Sequence, residues 1–156
     1  MLHVRARSVF SNHYEILEGG RVLTTVNIRW FREAGSFRLD GERYSVGRRG
    51  LMFGAFFLEG PDAVLATADK PSAFFRRFVV QVGDDVYELA ARSAFLRAFD
   101  LRLGRRRVGS VEPKSIFTRS ARADLPDDLP VPVQVFLTWL VLLLWKRQRK
   151  PSSNES

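Results

Sequence analysis

At 156 residues, with 46% hydrophobic and 27% charged side chains, the chain has the size and balance of one domain able to bury its own core. It contains no cysteine, which excludes a disulfide framework, a thiolate metal site and a cysteine nucleophile. A formal net charge of +8 directs expectation toward an anionic partner: nucleic acid, an acidic lipid surface or an acidic protein.

The opening segment, Met1-Leu2-His3-Val4-Arg5-Ala6-Arg7, places charges where a signal peptide needs a continuous apolar stretch, so a cytoplasmic location is expected. From here the chain repeats itself with a period of about 43 residues, the mark of a recurring supersecondary unit. Leu2-His3-Val4 followed by Arg7-Ser8-Val9-Phe10 returns as Tyr44-Ser45-Val46 with Arg49-Gly50-Leu51-Met52. It returns again as Tyr87-Glu88-Leu89 with Arg92-Ser93-Ala94-Phe95. Leu17-Glu18-Gly19 with Val22-Leu23 matches Leu58-Glu59-Gly60 with Val64-Leu65 and, more loosely, Leu103-Gly104 with Val108. An aromatic two residues before an arginine closes each copy: Trp30 and Arg32, Phe74 and Arg76, Phe117 and Arg119.

Within a copy, short runs of β-branched and aromatic residues separated by turn signals predict four strands. In the middle copy they fall near Tyr44 to Arg48, Phe53 to Leu58, Val64 to Thr67 and Phe78 to Val82. Between copies, Asp40-Gly41 suits a type I′ hairpin and Gly83-Asp84 a type II′ hairpin. Three copies predict about twelve antiparallel strands.

After the aspartate- and proline-rich stretch Arg122 to Pro130 the chain changes character. Val131 to Trp145 is apolar except for Pro132, Gln134 and Thr138. Pro132 is acceptable in a first helical turn. The preceding aspartates are expected to complement the positive end of the helix dipole, and the basic residues that follow, its negative end. A helix is predicted over 131–149, within one domain over 1–150, followed by a disordered tail over 151–156. Because it is apolar all round, protein or lipid must enclose it on every side. At about 1.5 Å per residue the segment from Val131 to Trp145 reaches roughly 22 Å, short of a hydrocarbon core of roughly 30 Å. Inward-facing alternation at Phe37 and Leu39, at Phe78, Val80 and Val82, and at Tyr87 and Leu89 supplies an enclosing wall. The expected fold is mainly β: a closed antiparallel barrel of about twelve strands around a buried apolar C-terminal helix.

This element count, together with the segment Val133-Gln134-Val135-Phe136-Leu137-Thr138-Trp139-Leu140, resembles the tubby C-terminal-like superfamily, which includes LURP-one-related proteins and phospholipid scramblases. The resemblance implies a twelve-stranded barrel around a hydrophobic helix and a non-catalytic role at lipid or membrane surfaces. No ligand residue of the family maps onto a numbered position of this chain. The cysteine cluster and the acidic calcium-binding segment of scramblases have no counterpart.

No catalytic or metal-binding pattern stands out. His3 and His13 lack a carboxylate near them in sequence, Gly47-Arg48-Arg49-Gly50 and Gly104-Arg105-Arg106-Arg107 lack the lysine of a phosphate-binding loop, and Ser93 and Ser115 lack a nucleophile elbow. Neither an enzyme, nor a cofactor, nor a metal is expected.

Strand counting adds a polarity. In an up-and-down barrel the turns after the first and third strands of every copy share one end. That end collects Arg7, Arg48, Arg49, Lys70, Arg76, Arg77, Arg92 and Lys114. The other collects Glu18, Asp40, Glu42, Glu59, Asp62, Asp84 and Asp85, with Arg105, Arg106 and Arg107 as exceptions. The helix should enter at the acidic end and bring Lys146, Arg147, Arg149 and Lys150 to the basic one. The candidate anion-binding residues are therefore Arg48, Arg49, Arg76, Arg77, Lys146, Arg147, Arg149 and Lys150. The expected partner is an anionic phospholipid or membrane surface contacted peripherally. The alternatives are a C-terminally anchored membrane protein, for which Lys146 to Lys150 would be the cytosolic flank, or a module for nucleic-acid or protein interaction. Oligomeric state is not legible.

Overall fold

The computed structural model describes residues 1–7, 12–28, 34–49, 55–72, 75–115 and 120–148. Alternating apolar and polar residues make each short run a strand with one buried face. The strands are β1 (Leu2–Ala6), β2 (His13–Glu18), β3 (Arg21–Asn27), β4 (Gly35–Leu39), β5 (Glu42–Arg48) and β6 (Ala55–Glu59). They continue with β7 (Val64–Asp69), β8 (Arg77–Val82), β9 (Asp85–Ala91), β10 (Phe99–Leu103), β11 (Arg106–Pro113) and β12 (Ala121–Asp124), followed by the helix α1 (Val131–Gln148).

All twelve strands form one antiparallel sheet in the order β3-β2-β1-β12-β11-β10-β9-β8-β7-β6-β5-β4. The first and last strands in sequence are neighbours, Leu2 facing Ala123 and Val4 facing Ala121, and this pairing bends the meander round on itself. The barrel is nearly closed rather than closed. Strands β3 and β4 bound the sheet, and no ladder joins them among the described residues. They still approach closely, since a Cβ on Gly35 would lie 2.5 Å from the Asn27 carbonyl oxygen.

The repeat is physical as well as textual. Register shifts fall at Ile16/Leu17, Leu58/Glu59 and Leu101/Arg102, in the hairpin of the second and third strands of each copy. A bulge adds twist and bends its strand, so each copy carries the same curvature into the wall. The N–H groups of Arg7, Arg49 and Arg92 donate to the carbonyls of His13, Ala55 and Ala98 at 3.1, 2.7 and 2.8 Å, again in equivalent positions. Between copies, Asp40 and Gly41 both lie in the left-handed region, at φ 50° and 83°, as a type I′ turn requires. At the second join only Gly83 does, at φ 58°, which fits type II′.

Helix α1 fills the barrel. Every residue from Val133 to Trp145 is buried, the burial expected for a helix with no polar face. Phe56 packs edge-on against both Phe78 and Trp139, at ring-centre distances of 5.8 and 5.9 Å, and Phe136 stacks on Trp139 at 6.4 Å. The two buried polar residues of the helix are satisfied locally. Thr138 Oγ1 donates to the Gln134 carbonyl at 2.8 Å, and Gln134 Nε2 donates to the Leu129 and Pro126 carbonyls at 2.9 and 3.3 Å. The first turn itself contains no acidic residue. Asp127 and Asp128 form the corners of a preceding turn closed by Leu129 N–H to the Pro126 carbonyl at 3.1 Å. The expected last helical residue, 149, and the tail lie outside the described residues. No helix among the described residues is long and apolar enough to cross a membrane.

Candidate anion-binding rim

The up-and-down order places the connections after β1, β3, β5, β7, β9 and β11 at one end of the barrel, and the other turns and the helix entrance at the opposite end. The described loop residues at the first end include Arg7, Arg49, Lys70, Arg76, Arg92, Arg97 and Lys114, and no carboxylate. Those at the second end include Asp40, Asp62, Asp84, Asp127 and Asp128, with Arg105 as the one basic exception. Because twelve is even, the chain returns to the acidic end before the helix, which then runs toward the basic one. Contacts of its last turn fix this direction. Lys146 Nζ donates to Asn12 Oδ1 and to the Ile28 carbonyl, both at 2.8 Å. Trp145 Nε1 donates to the Arg97 carbonyl at 2.8 Å.

The six described candidates differ in what holds them. Arg49 follows β5, and its side chain is exposed. Arg48 is half-buried, opposite Phe56. Arg147 is half-buried with its guanidinium 5.8 Å from the Phe56 ring centre, so it lies over the residue that Arg48 faces across the β5–β6 ladder. Lys70 joins them: burial, reinforced by the positive charge of Arg147, lowers its amine below the ordinary lysine value. A cation already disfavoured by its surroundings gains when an anion arrives. Lys70 Nζ also donates to the Ser72 carbonyl at 2.5 Å.

Two candidates are structural as well as basic. Lys146 spends its two bonds on tying the helix end to the segments after β1 and β3. Arg76 Nη2 converges on three carbonyls of the β9–β10 loop, those of Ser93, Ala94 and Leu96, at 2.8, 3.0 and 2.9 Å. With its amide oxygen turned toward that guanidinium, Gln148 accepts from Arg76 Nε and Nη1 at 3.1 and 3.0 Å. Arg77 is not brought into the cluster. It lies on the outer wall, where it pairs with Glu88 at 2.9 Å. Arg149 and Lys150 lie outside the described residues.

Sequence reasoning overlooked Arg97 and the exposed apolar side chains beside it. Arg97 stacks over the Trp145 ring, 4.6 Å from its centre, so it joins the rim to the helix end. Phe75, Phe95 and Leu96 project from the same end with relative exposures of 71, 96 and 50%. The available signal was an aromatic inside a loop, out of phase with any strand alternation. Arg92, counted with the rim, is instead shared between Asp100, at 2.8 Å, and Glu112, with Arg107 and Arg122 completing an ion network on the outer wall.

The helix occupies the barrel axis, with Val133 to Trp145 buried. Clefts on the surface are open. One of about 390 Å³ lies at the acidic end beside Tyr87, Arg106 and Asp128, and another of about 520 Å³ lies between Phe75 and Ala94 at the basic end. Among the described residues no group of histidine, aspartate and glutamate is placed to hold a metal ion. Comparison with known proteins adds no relative: no family model matches the chain, and no curated protein or solved structure matches it either.

Proposed function

We propose that the protein is a non-catalytic module of the tubby-like kind that binds an anionic membrane surface through the basic end of its barrel. The observation that carries this reading is the separation of charge among the described loop residues, with cations and no carboxylate in the loops of one end and aspartates in those of the other. Such a dipolar layout orients the molecule toward a negative plane before contact. Occupation of the barrel axis by the helix supports a surface role over ligand enclosure. Arg49, Lys70 and Arg147 supply the charge most directly, because Lys146 and Arg76 also hold the structure together and Arg77 is neutralised by Glu88.

Vesicle flotation tests the reading. A basic residue near an acidic leaflet contributes about 1 kcal/mol, and about 1.4 kcal/mol is tenfold in affinity. The triple variant Arg49→Gln, Lys70→Gln, Arg147→Gln should therefore bind phosphatidylserine vesicles about 100-fold more weakly than the parent at low salt. Equal recovery of the unmodified protein with neutral and anionic vesicles would overturn it.

A further inference from the structure

We propose that Phe75, Phe95 and Leu96 form an apolar tip that enters an anionic bilayer at the boundary between headgroups and acyl chains, with the surrounding arginines at headgroup level. This rests on the membrane-surface reading and adds how the surface is engaged. The three side chains belong to two adjacent loops, the one before β8 and the one between β9 and β10. Arg76 binds these loops together through its bonds to the Ser93, Ala94 and Leu96 carbonyls. Ser93 Oγ accepts from the N–H groups of Phe95 and Leu96 at 3.3 and 3.1 Å, which closes the tip as a tight turn. A phenylalanine that is 96% exposed at the summit of such a turn packs against nothing in its own chain. Its loop is nevertheless held in one shape, so little ordering remains to oppose insertion.

Charge decides the occupant. A protein-binding patch has a mixed polar rim, whereas this tip lies beside Arg76 and Arg97, and the described loops at this end contain no carboxylate. Apolar side chains projecting from a basic collar match the interface of an acidic bilayer, where apolar burial and attraction to anionic headgroups act together. At the acidic end the exposed large apolar side chains are Met1, Val22, Val64 and Val86, none of them aromatic.

The absence of cysteine permits single-site labelling. Ala94→Cys carries an environment-sensitive dye beside an intact tip, and Val64→Cys carries the same dye at the opposite end. With vesicles of phosphatidylserine and phosphatidylcholine, the dye at 94 should shift to the blue and be quenched by nitroxides on the upper acyl chain, while the dye at 64 should do neither. Replacing Phe75 and Phe95 together by Ser should weaken partitioning about tenfold per residue, and the binding that remains should be more easily released by salt. If the unmodified protein binds anionic vesicles while the dye at 94 stays in water and the double variant partitions unchanged, the tip does not insert and only the surface reading survives. If the unmodified protein does not bind anionic vesicles, both fail.

Discussion

Replacing Leu140 by Asp places a carboxyl group at the centre of the enclosed helix, where the leucine has no solvent exposure. Two costs follow. Loss of the buried aliphatic side chain is worth about 2–5 kcal/mol. A carboxyl in such surroundings has its folded-state pKa raised by several units, so at pH 7 it must take up a proton to fold, at about 4 kcal/mol from an ordinary value near 3.9. The sum, about 6–9 kcal/mol, is comparable with the whole stability of a small domain. The second cost has a sign of its own: it is fully present at neutral pH and disappears below the ordinary carboxyl range, where the unfolded chain is protonated too. Leu140→Asn has a similar shape without the titration. Urea unfolding followed by circular dichroism should show Leu140→Asp far less stable than Leu140→Asn at pH 7, with the two converging near pH 4. A Leu140→Asp protein that unfolds cooperatively at the parental midpoint at pH 7 would refute the enclosed-helix reasoning.

Asp100 and Glu112 are both held below the ordinary carboxylate range, chiefly by hydrogen bonds from Arg92. The stability they contribute is present above that range and is lost as pH falls through their lowered folded values, so the parent should weaken between about pH 5 and pH 3. Arg92→Gln should flatten that fall and cost about 1–2 kcal/mol at pH 7, a modest figure because the arginine side chain is 36% exposed. An unchanged pH profile in the variant would count against the network. At Gly109, an added Cβ would lie 2.6 Å from the Asp124 carbonyl oxygen and 3.2 Å from the Leu125 Cα, both backbone atoms. Gly109→Ala must therefore separate β11 from the chain leaving β12, and chemical denaturation should report a loss of about 1–3 kcal/mol; no loss would mean that the two strands are looser than the structure has them.

The candidate rim was only partly legible. Arg49 and Arg147 stand where the strand count put them, and the end at which each lies follows from parity alone. Arg77 went astray because a strand residue can point outward to a cross-strand neighbour, here Glu88, and sequence spacing does not reveal which carboxylate will stand beside it. Lys146 and Arg76 read as simple cations in sequence, yet they hold loops that lie far from them along the chain. The exposed Phe95 was taken as a repeat landmark, since a phenylalanine in a β-rich chain is expected to be buried.

What the sequence by itself determined is whatever depends on local pattern and period. Alternation makes the strands, the repeated turn residues set their number and direction, and a segment apolar on every face demands full enclosure, because no orientation of it can be left in water. Only the tertiary structure decided what depends on non-local register. Among the described residues it left the seam between β3 and β4 without a ladder while β1 and β12 paired, and it set Arg77 and Arg92 beside carboxylates on the wall while Arg49 stayed at the rim. Hydrophobic burial acts along every strand and is written in each residue, whereas an ion pair is a short-range contact that depends on which two side chains the strand register sets beside one another.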